Sequence, residues 1–376
     1  MRITSGIIFF LILLYPFFYA NSLVASSASY TFSLFYFLPL TLLFFLLNFG
    51  KKSIQELKKN RVNLFLLGCV FIIILLNTND IRYLKPLLFI VYLINLYLLS
   101  LTINFKENEK LIKYAFVSFV ILSVLYLGYS HRYLDGDRYF AFLISPTVYS
   151  VYAEVFLILL IYIIKKPSVK FVVFVIAGIF IVISKTRLNL VFYISIPFLI
   201  YLLENVKVSK LRVVLVYIFC LNMLYPIYSF LVQFDFGKKS LVSSRYESGR
   251  DSSFGLRNHI NYLVYNEYLN KTSVGEKLFG KGSEEARKLV LKKIKYDIFP
   301  HNDFIRLAYD FGIICTILFL FFLYRISRIN NVSFLILLLY LFSFYHNMVY
   351  DFFLISILVF YSGIKHKNEI VKELPS

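Results

Sequence analysis

The sequence predicts an all-α polytopic membrane protein with about twelve transmembrane helices and one large, partly helical loop between the ninth and the tenth. Its 376 residues are 59% hydrophobic, with a mean hydropathy of +0.73. The apolar residues come in uninterrupted blocks rather than at amphipathic spacing. Since about 20 apolar helical residues cross a bilayer core, this profile argues against a soluble globular protein.

Each predicted span corresponds to one apolar block. The blocks are residues 7–20, 30–49, 62–77, 85–103, 112–129, 142–164, 169–184, 187–203, 211–232, 304–324, 332–348 and 351–364. The first block follows Arg2 and resembles a secretory signal, but we expect an uncleaved first helix because many spans follow it. The last two are separated only by "NMVYD", so a tight hairpin and a re-entrant pair both fit.

Basic connections alternate with less basic ones, which sets the orientation. The basic ones are residues 51–61, 105–113, 165–170, 204–212, 325–330 and 365–372. Counted through twelve spans, all of them fall on the side of the N-terminus, so both termini are expected in the cytoplasm. The net charge of +19 is then explained by topology, and we expect no nucleic-acid partner.

The chain divides into three predicted regions. Residues 1–232 form the N-terminal transmembrane helices, 233–303 the large external loop, and 304–376 the C-terminal transmembrane helices with a short cytoplasmic tail. Within the loop, residues 252–269 and 283–294 have the spacing of amphipathic helices, the second with Ser283 as its cap. The three cysteines lie inside apolar blocks, which argues against a disulfide or a metal cluster.

Arginines collect on the predicted external side, where orientation does not require them. They comprise Arg132, Arg138, Arg187, Arg245, Arg250 and Arg257. The guanidinium fork is well suited to binding a phosphate or pyrophosphate. The alternative interpretation of each arginine is that its side chain extends to the lipid headgroups. Arg187 is the clearest candidate, because the triplet Lys185-Thr186-Arg187 leaves little room for a solvated loop between two apolar helices.

The stretch "FPHNDFIRLAYDFGI" contains a histidine directly before an apolar helix. His301 is suited to accept a proton from a hydroxyl near neutral pH, or else only bonds a carbonyl at the interface. Asn302 or Asp303 is expected to cap the helix, with Asp303 favoured.

Arg306 and Asp310, four residues apart, indicate an ordinary helix pair. "DGD" at 135–137 is a weak metal signal and also a common turn.

Five segments together resemble the O-antigen ligase and polymerase superfamily. They are "GDRYFAFLISPTVYSVYAEV" (136–155), "VISKTRLNLVFY" (182–193), "SGRDSSFGLRNHI" (248–260), "KLFGKG" (277–282) and "PHNDFIRLAYDFGI" (300–313). The resemblance covers roughly residues 136 to 320 and depends on the order and combination of the motifs. One departure is Ala141, where glycine is commoner in that family.

The resemblance implies a transmembrane glycosyltransferase with GT-C-like architecture in the bacterial inner membrane. Such proteins transfer glycan from an undecaprenyl-pyrophosphate carrier to a sugar hydroxyl at the periplasmic face, without metal or cofactor. Arg187 and Arg250, with Arg138 and Arg257, would hold the pyrophosphate, and His301 would be the base. The implied partners are the lipid-linked glycan donor and acceptor, membrane lipids and a chain-length regulator.

Three functions remain open at this stage. A polymerase joins lipid-linked repeat units to one another and is the favoured hypothesis. An O-antigen ligase uses the same arginines and histidine but transfers the glycan to lipid A core. A flippase or other transporter belongs to another class, which typically shows two similar halves and charges near the bilayer midplane. Here mid-span charges are few, Glu154 being the main exception, and the halves differ because only one carries a long loop.

Overall fold

The computed structural model is mostly helical. It describes residues 38–39, 41–43, 46, 51–78, 84–102, 108–129, 133–134, 137–143, 145–205, 212–213, 253–295, 300, 302–327, 331–342, 354–359 and 361–362. The first predicted span lies outside these residues, as do most of the second and of the ninth.

Helices and one small hairpin make up the N-terminal half. The helices are α1 (Lys51–Lys59), α2 (Arg61–Leu76), α3 (Lys85–Thr102), α4 (Asn108–Leu125), α5 (Pro146–Ile163), α6 (Pro167–Ser184) and α7 (Arg187–Asn205). Between α4 and α5, β1 (Tyr133–Leu134) pairs with β2 (Arg138–Tyr139) in antiparallel register. The predicted helix over 142–164 begins only at Pro146, because Ser145 caps it by accepting from the Val148 amide and proline suits the first helical position.

Five helices make up the described C-terminal half. They are α8 (Ser253–Lys271), α9 (Val274–Phe279), α10 (Glu285–Ile294), α11 (Asp303–Ser327) and α12 (Asn331–Phe342). Among the described residues, four helices are long and apolar enough to cross a membrane, namely Pro146–Ile163, Pro167–Ser184, Leu188–Asn205 and Asp303–Ser327. The chain is therefore a helical protein with several potential membrane spans.

Helix α5 lies in the middle of the membrane bundle. It is buried along most of its length, whereas only 33% of α6 and 28% of α7 is buried. It packs against α4, α6, α7 and α12. This central position brings residues of α5 to the ends of two neighbouring helices, where the first half of the candidate site lies.

Polar contacts define the two ends of the bundle. At one end, Asn63 donates to Tyr97 and accepts from Arg325 Nε at 2.7 Å, which joins the start of α2 to the ends of α3 and α11. At the other end, Asn77 at the close of α2 donates to the Phe279 carbonyl at 2.7 Å. We call this second end the loop end, because α8, α9 and α10 dock there.

Helices α8 and α10 and the first turns of α11 share a small apolar core. Its buried members are Ile260, Val264, Ala286, Val290 and Tyr309. Helices are thus present at both predicted positions, and α9 is a third, shorter one. The predicted Ser283 cap is wrong: α10 begins after Glu284, whose side chain makes no capping bond, and the Ala286 amide instead donates to Asp310 at 2.8 Å.

A capping box begins α9. The Glu276 amide donates to Ser273 Oγ, and the Ser273 amide donates to the Glu276 carboxylate at 2.8 Å. The second bond lowers the pKa of Glu276, because an amide donor favours the ionised carboxylate. Any stability that it contributes is therefore present above the ordinary Glu pKa and is lost as the pH falls through the lowered value.

Helix α11 is broken at Gly312, where the backbone turns to φ 84° and ψ 162°. The break frees two carbonyls, and the turn after α9 satisfies both: the Lys281 amide donates to Tyr309 O at 3.0 Å and the Gly282 amide to Asp310 O at 2.9 Å. The predicted span 304–324 is thus interrupted near its start. Residues 303–311 pack with the loop helices, and the apolar helix continues after the break.

We predict that Gly312→Ala undocks this turn. Its φ lies where L residues are strained, and a Cβ would meet Leu278 O at 2.2 Å, so the cost is at least roughly 1–3 kcal/mol. The apparent melting temperature of the detergent-purified protein should fall. Gly68→Ala in α2 is the control, because a Cβ there meets nothing within 4 Å. If both variants had the same melting temperature, the break at Gly312 would not be what holds this turn in place.

Candidate functional site

The predicted site residues fall unevenly on the described part of the chain. His301 and Arg250 lie outside the described residues. Arg187 begins α7 and Arg257 lies in α8, but their side chains also lie outside the described part. Side chains are described for the remaining three predicted residues, Arg138, Asn302 and Asp303.

The first half of the site lies where the hairpin meets the turn between α6 and α7. Lys185 Nζ donates to Asp137 Oδ2 at 2.7 Å, with both side chains about half exposed. Lys185 ends α6 in the left-handed conformation, with φ 51°, and Arg187 begins α7 two residues later. The predicted tight turn is therefore present, and an ion pair joins it to the segment that carries the half-buried Arg138.

The segment that follows Arg138 is held against the bundle core. Tyr139 is buried and its hydroxyl donates to the Ser123 carbonyl of α4. Ala141 is also buried and has φ 45°, a left-handed conformation that glycine adopts without strain. The commoner glycine of the resembling family would suit this backbone, so the departure at Ala141 leaves the local turn intact at some conformational cost.

Three buried hydroxyls lie beneath this turn. Ser150 Oγ of α5 is 2.5 Å from Ser184 Oγ and 2.5 Å from Thr186 Oγ1. One helical turn further along α5, the buried Glu154 accepts from Asn189 Nδ2 at 3.0 Å. The Glu154–Asn189 pair and the hydroxyl cluster form a polar path from Thr186 into the bundle. In an apolar bundle, such side chains are expensive to bury and commonly mark functional positions.

The second half of the site lies at the start of α11. The Phe304 and Ile305 amides both donate to Asn302 Oδ1 at 3.1 Å, so Asn302 is the cap. The expectation that favoured Asp303 for this role is wrong. Asp303 is instead the first helical residue and is buried.

A buried charge cluster adjoins this helix start. Arg306 lies 3.7 Å from Asp310 Oδ2 and 3.7 Å from Glu284 Oε1, and Arg287 donates to Glu284 at 2.9 Å. Lys85, at the start of α3, lies in the electrostatic field of Glu284, Arg287 and Arg306. Arg306 and Asp310 therefore do more than form the ordinary helix pair that their spacing predicted, because they connect α10 to α11.

Both halves lie at the loop end. The rings of Phe192 and Phe342 are 5.3 Å apart, which places the first turns of α7 beside the end of α12. Helix α12 follows α11 after a short connection and packs against it, so its end lies towards the start of α11. The beginning of α7 at Arg187 and the beginning of α11 after His301 therefore belong to the same end of the bundle.

Basic side chains outnumber acidic ones in this buried cluster. Lys85, Arg287 and Arg306 place three cations against the two carboxylates of Glu284 and Asp310. Across the residues that the structure describes, no group of three His, Cys, Asp or Glu side chains is close enough to hold a metal ion. Cationic side chains with a histidine nearby in the chain can hold a phosphate and accept a proton.

Sequence reasoning missed the residues that join the two halves to the bundle. Glu284 and Arg287 occur in a polar segment of mixed charge, where nothing distinguishes them from solvated residues. Ser150 lies within an apolar block and Thr186 between two of them, and small polar residues in such places do not stand out by type. The detectable signal was Glu154, an acid in the middle of an apolar block.

We predict that Asp310→Asn loosens α10. The change removes the charge that faces Arg306 in a buried site, and losing one partner of a buried pair costs about 3–5 kcal/mol. Tryptic cleavage at Lys292 and Lys293, on the exposed end of α10, should become at least about 100-fold faster by the relation of 1.4 kcal/mol per tenfold. The cleavage products can be followed by mass spectrometry.

The matched control is Glu285→Gln. Its partner Lys288 is 2.6 Å away, but both side chains are well exposed, and exposed pairs contribute about 0–1 kcal/mol. Cleavage should therefore change little. If the two variants were cleaved at the same rate, the buried cluster would not be what holds α10 in place.

No protein-family model matches this sequence, and no curated protein is significantly similar to it. The resemblance to the O-antigen ligase and polymerase superfamily therefore depends on the five motif segments alone. The geometry of those segments is the basis for a functional proposal.

Proposed function

We propose that this protein is a glycosyltransferase of the bacterial inner membrane. It polymerises undecaprenyl-pyrophosphate-linked oligosaccharide repeat units into O-antigen or a related surface polysaccharide at the periplasmic face. Both termini are in the cytoplasm, so that the loop end faces the periplasm. The substrates are the lipid-linked donor and the lipid-linked acceptor.

The pairing of the motif segments is the observation that supports this proposal. Lys185 of the "SKTR" segment contacts Asp137 of the "GDRYF" segment. The "KLFGKG" segment donates two backbone hydrogen bonds to the broken helix of the "HNDFIRLAYDFGI" segment. Each pair of segments is thus in contact, and both pairs lie at the same end of the bundle, which is compatible with one site.

The proposed chemistry is a displacement at the anomeric carbon. Arg187 and Arg250, with Arg138 and Arg257, hold the pyrophosphate and stabilise the charge that develops as it leaves. His301 accepts the proton of the attacking sugar hydroxyl. Because pyrophosphate is a good leaving group, no strong acid is required, and a single in-line displacement inverts the anomeric configuration.

The arginines carry most of the anion binding in this scheme. The Asn302 side chain already accepts from the Phe304 and Ile305 amides, so those amides are not available to a ligand. What α11 contributes is the partial positive charge at its N-terminus. A scheme in which the first-turn amides bind the phosphate directly is therefore disfavoured.

Deleting the gene in the parent bacterium tests the reaction. Surface polysaccharide separated on a gel should show core that carries a single repeat unit, because ligation continues without polymerisation. Bare core would instead indicate a ligase. Loss of the periplasmic lipid-linked unit would indicate a flippase and would overturn the proposal.

We predict that His301→Ala and Arg187→Ala each abolish the polysaccharide ladder at wild-type protein levels in the membrane. Loss of a general base typically costs about 10²- to 10⁴-fold in rate, enough to remove long chains. Arg61→Ala is the matched control, because Arg61 also begins a helix but is exposed at the opposite end of the bundle. A normal ladder from His301→Ala would eliminate it as the base.

A further inference from the structure

Helix α9 has the reverse polarity of a water-facing helix. Its apolar side chains point outward, with Val274 73% and Phe279 54% exposed, and Leu278 is exposed as well. Its two charged residues, Glu276 and Lys277, are less exposed. On a protein surface in water, the charged face is the exposed one, so the surroundings of α9 are expected to be apolar.

Local hydrogen bonds hold the two partly exposed charged residues. Lys277 Nζ donates to the Leu269 carbonyl at 2.7 Å, and the Lys277 carbonyl accepts from the Tyr268 hydroxyl at 2.9 Å. Glu276 is held in the capping box with Ser273. The orientation of α9 is therefore set by specific contacts on its polar side, and the outward apolar face follows from them.

The apolar face of α9 continues into the side of the membrane bundle. The Phe279 carbonyl is bonded to Asn77 at the end of α2, and the last turn of α2 exposes Leu75 and Leu76, the latter to 74%. These side chains belong to an apolar helix, and lipid is the medium in which such a helix exposes them.

A second contact point gives the same continuity. The backbone of Leu278 and Phe279 packs directly on Gly312. Just beyond it, α11 exposes Ile313 and Ile317. Helix α9 thus lies between the outward faces of two apolar helices, at the level where both reach the loop end.

We infer that α9 is an interfacial anchor whose apolar face lies in the bilayer, at the boundary between headgroups and acyl chains on the loop side. Its ligand is the membrane lipid itself. Lys271 precedes the helix with a side chain that is 55% exposed beside Glu267, so it can reach anionic headgroups. This inference does not depend on the proposed glycosyl transfer, because it concerns where the loop sits rather than what it acts on.

The absence of tryptophan from the sequence makes a direct test possible. Phe279→Trp introduces a single fluorophore into the full chain, which is reconstituted in vesicles of phosphatidylethanolamine and phosphatidylglycerol carrying bromine near the headgroup or near the chain end. An interfacial helix lies about 5–10 Å into the boundary, so shallow bromine should quench emission at least about twofold and deep bromine less. Val274→Trp is the second reporter, should Phe279→Trp fold poorly.

Two control positions calibrate the depth. Ile317→Trp on the outward face of α11 should be quenched more by the deep bromine, and Lys292→Trp, exposed on α10, should be quenched by aqueous iodide instead. Quenching of Phe279→Trp and Val274→Trp by iodide alone would place α9 in water. Protection from both quenchers would mean that protein covers the helix. Either result overturns the inference, whatever the outcome of the polysaccharide gels.

Discussion

The backbone contact between the turn after α9 and the break at Gly312 is the constraint on which the loop end depends. A helix that breaks at the membrane boundary exposes carbonyl groups that lipid cannot satisfy. The Lys281 and Gly282 amides satisfy Tyr309 and Asp310, and the same turn is bonded to Asn77 of α2. The break in α11 and the position of the loop helices are therefore two parts of one interaction, and neither is stable without the other.

The buried charges add specificity to this contact. Taking Arg306 and Asp310 out of water is costly, and the attraction between them offsets that cost only with good geometry and further bonds. Asp310 obtains such a bond from the Ala286 amide, and Arg306 also faces Glu284. Helix α10 can occupy only the position that satisfies both residues, so the cluster fixes the register of the loop against α11.

The helical class and the membrane character were predictable, because apolar blocks and basic connections are signals summed over many residues. The helical content of the loop was predictable for the same reason. The hydrogen-bond partner of each polar group was not predictable from the sequence. Asn302 and Asp303 are equally good caps by type, and only the backbone path selects Asn302. Ser283 looked like a cap, yet Asp310, 24 residues from Ala286, takes that role.

For the candidate site, the tight turn at Lys185 was predictable from the lack of room between two spans, but its pairing with Asp137 is a long-range contact.

The bond between Asn77 and Phe279 joins residues 202 positions apart in the chain, and this separation bears on how the protein is made. When α2 is synthesised, neither α9 nor the broken helix α11 exists, so the end of α2 has no loop to hold. The segment that forms α9 emerges only after α3 to α8, and its docking surface on Gly312 is then still to come. The loop end is therefore completed only after α11 has been synthesised and has reached α2. Until then its polar backbone groups must be kept in water, which makes assembly of this region one of the last steps of biogenesis.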